Sequence, residues 1–239
     1  MKEFLVLKEN SKTTIPREVS PTHFGQRILV VAPHPDDEII GCGATLRKCV
    51  LAGAEVYCLY LTSGEATLAG PGILSEDKAG IREREALAAG KLIGFAKQEM
   101  LRLPDGNLQA ADIVAPLAEI VLKYDPSAIF LPAFGDPHPD HLAAYLGVAR
   151  INGPSQAMCF GYEVWHSLDE PQIFMDVTDS YSIKRKALRK HRLAGKVQNY
   201  VRWTTGLNTF RSNLIGGRGF VEVFTESPLG KLKGSDSLV

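Results

Sequence analysis

The feature that most constrains this chain is a regular exchange of two periodicities, in which apolar runs too short for a helix alternate with helix-length segments. Arg27–Ala32 (Arg-Ile-Leu-Val-Val-Ala) reads as a strand buried on both faces. Ile39–Ala52 follows as a helix, Glu55–Thr62 as a strand and about Ser75–Leu92 as a helix rich in Ala, Glu and Arg. Glu99–Leu103 then reads as a strand, Ala110–Lys123 as a helix, Ser127–Pro132 as a strand and Asp140–Arg150 as a helix. Strand alternating with helix implies right-handed crossovers, hence an α/β architecture with a doubly wound, mostly parallel sheet. Beyond residue 150 the pattern loosens into an α+β portion. Cys159–Val164, Gln172–Met175 and Phe220–Phe224 read as strands there, and Ser180–Lys190 and Val197–Phe210 as helices. The whole chain, 1–239, is expected to be one domain, with residues 1–25 as an arm, about 27–150 as the core and about 151–239 as the part that selects substrate.

Charge narrows the partners. The 27 Lys and Arg balance the 27 Asp and Glu, whereas a duplex-binding domain carries a basic excess because phosphate neutralisation supplies most of its affinity. Nucleic acid is therefore not expected. No apolar run approaches the roughly 18 residues of a membrane span, and the charged N-terminal segment lacks the apolar stretch of a secretory signal, so a cytoplasmic location is expected. Cys42, Cys49, Cys58 and Cys159 lie in apolar stretches without C-x-x-C spacing and read as buried free thiols. A homo-oligomer is compatible with the sequence.

In an open parallel sheet, ligands bind beyond the carboxyl ends of the strands. The segments found there are Pro33-His34-Pro35-Asp36-Asp37-Glu38, Ser63-Gly64-Glu65, Pro104-Asp105-Gly106-Asn107 and Phe134-Gly135-Asp136-Pro137-His138-Pro139-Asp140-His141. Taken alone, Asp36 at a helix start is an N-cap, Asp37 and Glu38 complement the helix dipole, and His34 is a loop histidine. A second His/Asp cluster at another strand end changes the balance toward a shared metal site. Imidazole with carboxylate and no thiolate suits Zn²⁺, with Fe²⁺ or another divalent ion as alternatives, and three protein ligands leave a position open for water. One Asp of the pair suffices as a ligand, which leaves the other free to act as a base.

His34-Pro35-Asp36-Asp37-Glu38, followed about a hundred residues later by His138-Pro139-Asp140-His141, resembles the LmbE-like (PIG-L) family of metal-dependent N-deacetylases. Gly41 and Gly43 in the first helix, Thr62-Ser63-Gly64-Glu65, Arg82-x-x-Glu85-x-x-x-Ala89 and Leu103-Pro104-Asp105-Gly106 follow the family order. The resemblance covers roughly 27–150 and implies a Rossmann-like fold and a zinc-dependent hydrolase that removes acetyl from an N-acetylglucosamine-type sugar or conjugate. It implies that His34, Asp37 and His141 bind the metal, that Asp36 is the general base, and that His138 steadies the oxyanion or protonates the leaving amine. Arg82 would contact the sugar, although it also fits one more charge on a solvated helix face. Asp105 and Glu65 would belong to the substrate wall, although Asp-Gly equally suits a plain turn. Some relatives carry a tyrosine where this chain has Asp136, and a carboxylate cannot donate to an oxyanion.

Three other readings compete. Gly41-Cys42-Gly43 after the first strand, with Glu65 further on, echoes a dinucleotide fingerprint, but Asp36, Asp37 and Glu38 crowd the helix start and Leu46 stands where a third glycine belongs. A non-catalytic sugar-binding member would not need the full set of ligands and base. The third is a metal-dependent amidase or deacylase acting on a non-sugar N-acyl or thiol-conjugate substrate, and the sequence alone does not separate it from the sugar deacetylase. Tyr162, Trp165, His166, Tyr200 and Trp203 are candidates for lining a sugar or aglycone pocket, or for core.

Overall fold

The structure, a computed structural model, describes residues 15–151 and 155–232. Eight strands form one mixed, mostly parallel sheet: β1 (Arg17–Glu18), β2 (Arg27–Ala32), β3 (Glu55–Thr62), β4 (Lys97–Leu103), β5 (Ala128–Pro132), β6 (Met158–Tyr162), β7 (Ile173–Asp176) and β8 (Val221–Pro228). Six α-helices accompany them: α1 (Asp37–Leu51), α2 (Ser75–Ile93), α3 (Ala110–Tyr124), α4 (Pro139–Ala149), α5 (Tyr181–Leu188) and α6 (Tyr200–Arg211). The strand order is β1-β7-β8-β6-β5-β2-β3-β4. Pairing is parallel from β4 through β3, β2 and β5 to β6, and antiparallel where β8 meets β6 and β7. The α/β reading and its looser C-terminal portion hold. β1, in the segment read as an arm, pairs with β7 in register Arg17↔Ile173. Of the segment read as an arm, residues 1–14 lie outside the described residues.

The core explains why β2 carries no polar alternation. Ile28, Val30 and Ala32 join the cluster under α1, α2 and α5, whereas Leu29 and Val31 join the one under α3 and α4. A central parallel strand covered on both faces has no solvent side, so every position must be apolar. All four cysteines are buried and free, as expected. Among the described residues, no helix is long and apolar enough to cross a membrane.

Gly41 serves packing. A Cβ there would fall 2.2 Å from Cδ2 of the buried Tyr162 ring, so the helix can approach β6 only without one. This use accounts for the glycine without a pyrophosphate. Gly41→Ala should destabilise the fold by about 1–3 kcal/mol through overpacking, which at about 2–4 °C per kcal/mol for a chain of this size lowers Tm by several degrees. A thermal melt unchanged from that of the parent would refute this packing role.

Candidate metal and active site

The His/Asp clusters follow β2 and β5 and open α1 and α4, and because β2 and β5 are parallel neighbours in the sheet the two clusters meet at one edge. Asp36 precedes α1 at φ 130°, a backbone region L-residues rarely adopt and one that clusters at functional sites. Its side chain does not cap the helix, so the capping role open to it in the sequence is not the one it plays. Glu38 holds the turn. Its Oε2 accepts the Asp36 N–H at 3.1 Å and its Oε1 accepts the Tyr60 hydroxyl at 2.8 Å. Burial pushes the Glu38 carboxyl up to about 8.

Asp36 faces Arg82. Nη2 of Arg82 lies 2.9 Å from Asp36 Oδ2 and also donates to Pro35 O at 2.6 Å, while Nη1 donates to Gly64 O at 2.9 Å. Arg82 is only 5% exposed, so it does not sit on a solvated helix face. Burial raises Asp36 to about 6 even though Arg82 opposes the shift. The Tyr200 hydroxyl faces Asp36 from α6 and works against the rise of its carboxyl. A carboxyl poised near neutrality, with one oxygen fixed by a guanidinium, suits proton transfer.

Beside it, Asp37 Oδ2 lies 3.1 Å from His34 Nδ1 and 3.2 Å from His141 Nε2. His34, His138 and His141 also offer ring nitrogens that all lie within 4.8 Å of one another. Burial works against ionising Asp37, but His141 and His34 outweigh it and hold the carboxyl well below the usual range. Burial likewise opposes a proton on His141, yet Asp37 and then Asp136 raise it to about 9.

The residues fit a divalent ion. Atoms about 2.1 Å from one tetrahedral ion lie roughly 3.4 Å from each other, close to the two spacings around Asp37 Oδ2. His141 is fully buried, and both its nitrogens lack a hydrogen bond of acceptable geometry despite carboxylate oxygens at 3.2 Å. Side chains aimed at a common centre rather than at each other leave that signature. Asp136, the residue standing where some relatives have tyrosine, places Oδ2 3.2 Å from His141 Nδ1 and accepts the N–H groups of His138 and Trp165. It orients a histidine. Asp140 does the same for His34, 3.1 Å from Nε2, and pins the β4–α3 loop by accepting Gly106 and Leu108 N–H. These second contacts were legible only as two more acids in the crevice.

His138 caps α4, its Nδ1 accepting the Asp140 N–H. Burial, with His34 and His141 nearby, shifts its ring down from the ordinary imidazole value, and Nδ1, engaged as an acceptor, leaves the ring proton on Nε2. Asp105 lies in the wall, Oδ1 3.1 Å from His34 Nε2 and Oδ2 accepting Ala66 N–H at 2.6 Å. Glu65 does not line the cavity. Its Oε1 accepts the Asp105 N–H at 3.0 Å and so supports the wall from behind. The cavity above these groups, about 320 Å³, is lined at its rim by Trp165, Leu68 and Tyr200. Trp165, 43% exposed, packs against Trp203 with ring centroids 4.9 Å apart and the planes tilted by 32°. Tyr162 is core, its hydroxyl donating to Val31 O.

Residues 29–152 match the PIG-L, or GlcNAc-PI de-N-acetylase, family. The chain is 25% identical over 190 residues to the diacetylchitobiose deacetylase of Thermococcus kodakarensis, covering 70% of this chain and 69% of that protein. It is 30% identical over 176 residues to the uncharacterized deacetylase YaiS of Escherichia coli, covering 69% and 90%. Among solved structures, the N,N'-diacetylchitobiose deacetylase of Pyrococcus horikoshii superposes with a TM-score of 0.77 at 23% identity, over 95% of this chain and 92% of that one, a likeness of fold. With the matched segment spanning more than half of its length and containing both His/Asp clusters, this chain belongs to the PIG-L family.

Proposed function

We propose that the protein is a metal-dependent hydrolase that removes the N-acetyl group from an N-acetylglucosamine-type sugar or conjugate. The observation that carries this reading is the pairing of Asp36, on its strained turn against Arg82, with the His34, Asp37 and His141 group one residue away. His34, Asp37 and His141 would hold a divalent ion, Zn²⁺ by donor chemistry, with Fe²⁺ as the alternative. Bound there, it supplies Lewis acidity toward the acyl oxygen and a more acidic water.

The chain's own residues do the rest. Asp36 accepts a proton from water as the water oxygen adds to the acyl carbon, with Arg82 fixing the carboxylate's direction. His138 donates from neutral Nε2–H to the oxygen on which negative charge develops, in a crevice where such a bond is worth more than in bulk water. Asp36 then returns its proton to nitrogen as the C–N bond breaks, which gives acetate and a free amine. Arg82 and Asp105 line the cavity the sugar would enter, and Trp165 presents an aromatic face to it.

The test is to incubate the purified protein with N-acetylglucosamine, its glycosides and a set of N-acyl amino acids, and to measure acetate and new primary amine. Equimolar release from the sugars, stopped by a chelator, is the expected result. Release confined to the non-sugar amides would establish the amidase alternative, and release indifferent to chelation would sink the metal assignment.

A further inference from the structure

The loop between β6 and β7, residues 163–172, runs beside the cavity and carries Trp165 into its lining. Among the described residues, no backbone group of 164–171 bonds to another backbone group, so the course of this loop is set by the side chains its peptide groups meet. Asp136 Oδ2 accepts the Trp165 N–H at 3.0 Å, Glu163 Oε1 accepts the Leu168 N–H at 2.6 Å, and Arg211 Nη2 donates to Leu168 O at 2.6 Å. Arg211 also grips Glu163 itself, through Nη2 to Oε1 and through Nε to Oε2 at 3.4 Å. The guanidinium thus ties both ends of a six-residue bend, and Trp165 stands inside that bend.

Arg211 is the last residue of α6, the helix whose first residue, Tyr200, lines the same cavity and whose Trp203 packs against Trp165. One helix therefore supplies both the backing of the Trp165 ring and the tie on its backbone. Glu163 is only 3% exposed, and a buried ion pair adds little net stability once desolvation is counted. What this pair does fix is a geometry. Neither Glu163 nor Arg211 lines the cavity, so any effect on a bound molecule must pass through Trp165.

We infer that Glu163 and Arg211 are positioning residues for substrate binding: they hold the 163–172 loop so that Trp165, backed by Trp203, offers a fixed aromatic face to the apolar C–H side of the sugar ring. A large, rigid ring is an efficient contact when its position is set beforehand. The inference rests on the deacetylase reading for the sugar that meets Trp165. Asp136 anchors the loop independently, and the same Oδ2 that accepts the Trp165 N–H lies 3.2 Å from His141 Nδ1. Loosening Arg211 leaves that anchor and the metal group in place, so the loss falls on binding rather than on turnover. Lysine cannot replace the arginine, because one ammonium does not reproduce the fork that spans Glu163 and Leu168 O.

The chain has two tryptophans, Trp165 and Trp203, so its tryptophan emission reports on this pair alone. The experiment follows that emission in the purified protein as N-acetylglucosamine, or methyl glucosaminide with no acetyl to lose, is added, and takes KM and kcat from acetate release. Both sugars should change the parental emission. Arg211→Lys should make the emission more open to acrylamide quenching and raise the sugar Kd and KM about tenfold, with kcat held within about threefold. Arg202→Gln, which removes a charge from an exposed position of the same helix, should leave all of these at parental values. Trp165→Ala removes the face and leaves the tie intact, and it should reproduce the rise in Kd and KM even where the Arg211 variant fails to fold. Parental emission indifferent to both sugars overturns the inference, as does a parental Kd in Trp165→Ala or in folded Arg211→Lys, or a loss confined to kcat. Emission that responds to the sugars in a protein that releases no acetate from them keeps the inference and removes the deacetylase reading.

Discussion

Asp36→Asn should lower kcat by about 10²–10⁴-fold, the range associated with loss of a positioned general base, while the purified variant retains its metal. Asparagine is the informative replacement. It is among the few residues enriched at positive φ, so the φ of 130° at this position is better served than by alanine. Its amide oxygen can still accept from Arg82 Nη2, which otherwise lies buried beside the carboxylate. What it cannot do is take a proton at the pH where Asp36, raised to about 6, can. Metal should be retained because the carboxylate beside the two imidazoles belongs to Asp37. Removing the buried negative charge leaves Arg82 with a weaker partner, so a moderate loss of stability is also expected. Elemental analysis with steady-state acetate release checks the claim. More than a tenth of parental kcat with metal bound would show that Asp36 is not the base.

The legible and illegible parts of this fold differ in a physical way. β2 and β3 run over the residues expected, Arg27–Ala32 and Glu55–Thr62, because interior parallel strands must be apolar throughout and end where polarity begins. β4 starts at Lys97 rather than Glu99. It is an edge strand whose Lys-Gln-Glu opening contains no apolar signal. β8 continues past Phe224 through Thr225, Glu226 and Ser227 to Pro228 because β6 offers it partners down to Met158, a fact of tertiary structure. β1, two exposed residues, has no signature at all.

The candidate site divides along the same line. Its two His/Asp clusters are contiguous in sequence and each follows a strand, so topology alone brings them to one crevice. The contacts that organise them are long-range. Asp36 meets Arg82 from 46 residues away and His34 meets Asp140 from 106. Arg82 itself sits in a run of charges that reads equally well as a solvated face. Nothing local distinguishes the arginine pointing inward, and only the Cβ-free turn at Gly64, where a methyl would fall 2.1 Å from Arg82 Nη1, records its position.

The largest stability effect is expected from a residue far from the chemistry. Lys184 is fully buried on α5, and its Nζ reaches Glu222 Oε1 at 2.6 Å, Ile40 O at 2.7 Å and Asn208 Oδ1 at 3.0 Å. Glu222 in turn accepts Ala44 N–H at 3.2 Å and Thr45 N–H at 2.7 Å. The ion pair is thus inserted against the backbone of α1, two turns after Asp37. Lys184→Met strands the Glu222 carboxylate in the core and should cost about 3–5 kcal/mol, or roughly 6–20 °C in Tm for a chain of this size. Replacing both members with apolar residues often restores stability when a buried pair satisfies only itself. Here it should not, because Lys184→Met/Glu222→Leu leaves the buried Asn208 Oδ1 without its donor, at about 1–3 kcal/mol for a group left unsatisfied, and takes from Ile40 O and the Ala44 and Thr45 amides the bonds they make beyond the helix. The double variant should therefore remain at least about 2 kcal/mol less stable than the parent by urea unfolding. Recovery to parental stability would mean that α1 closes its own hydrogen bonds once the charges are gone, and that the pair is not what holds the helix carrying Asp37 in place.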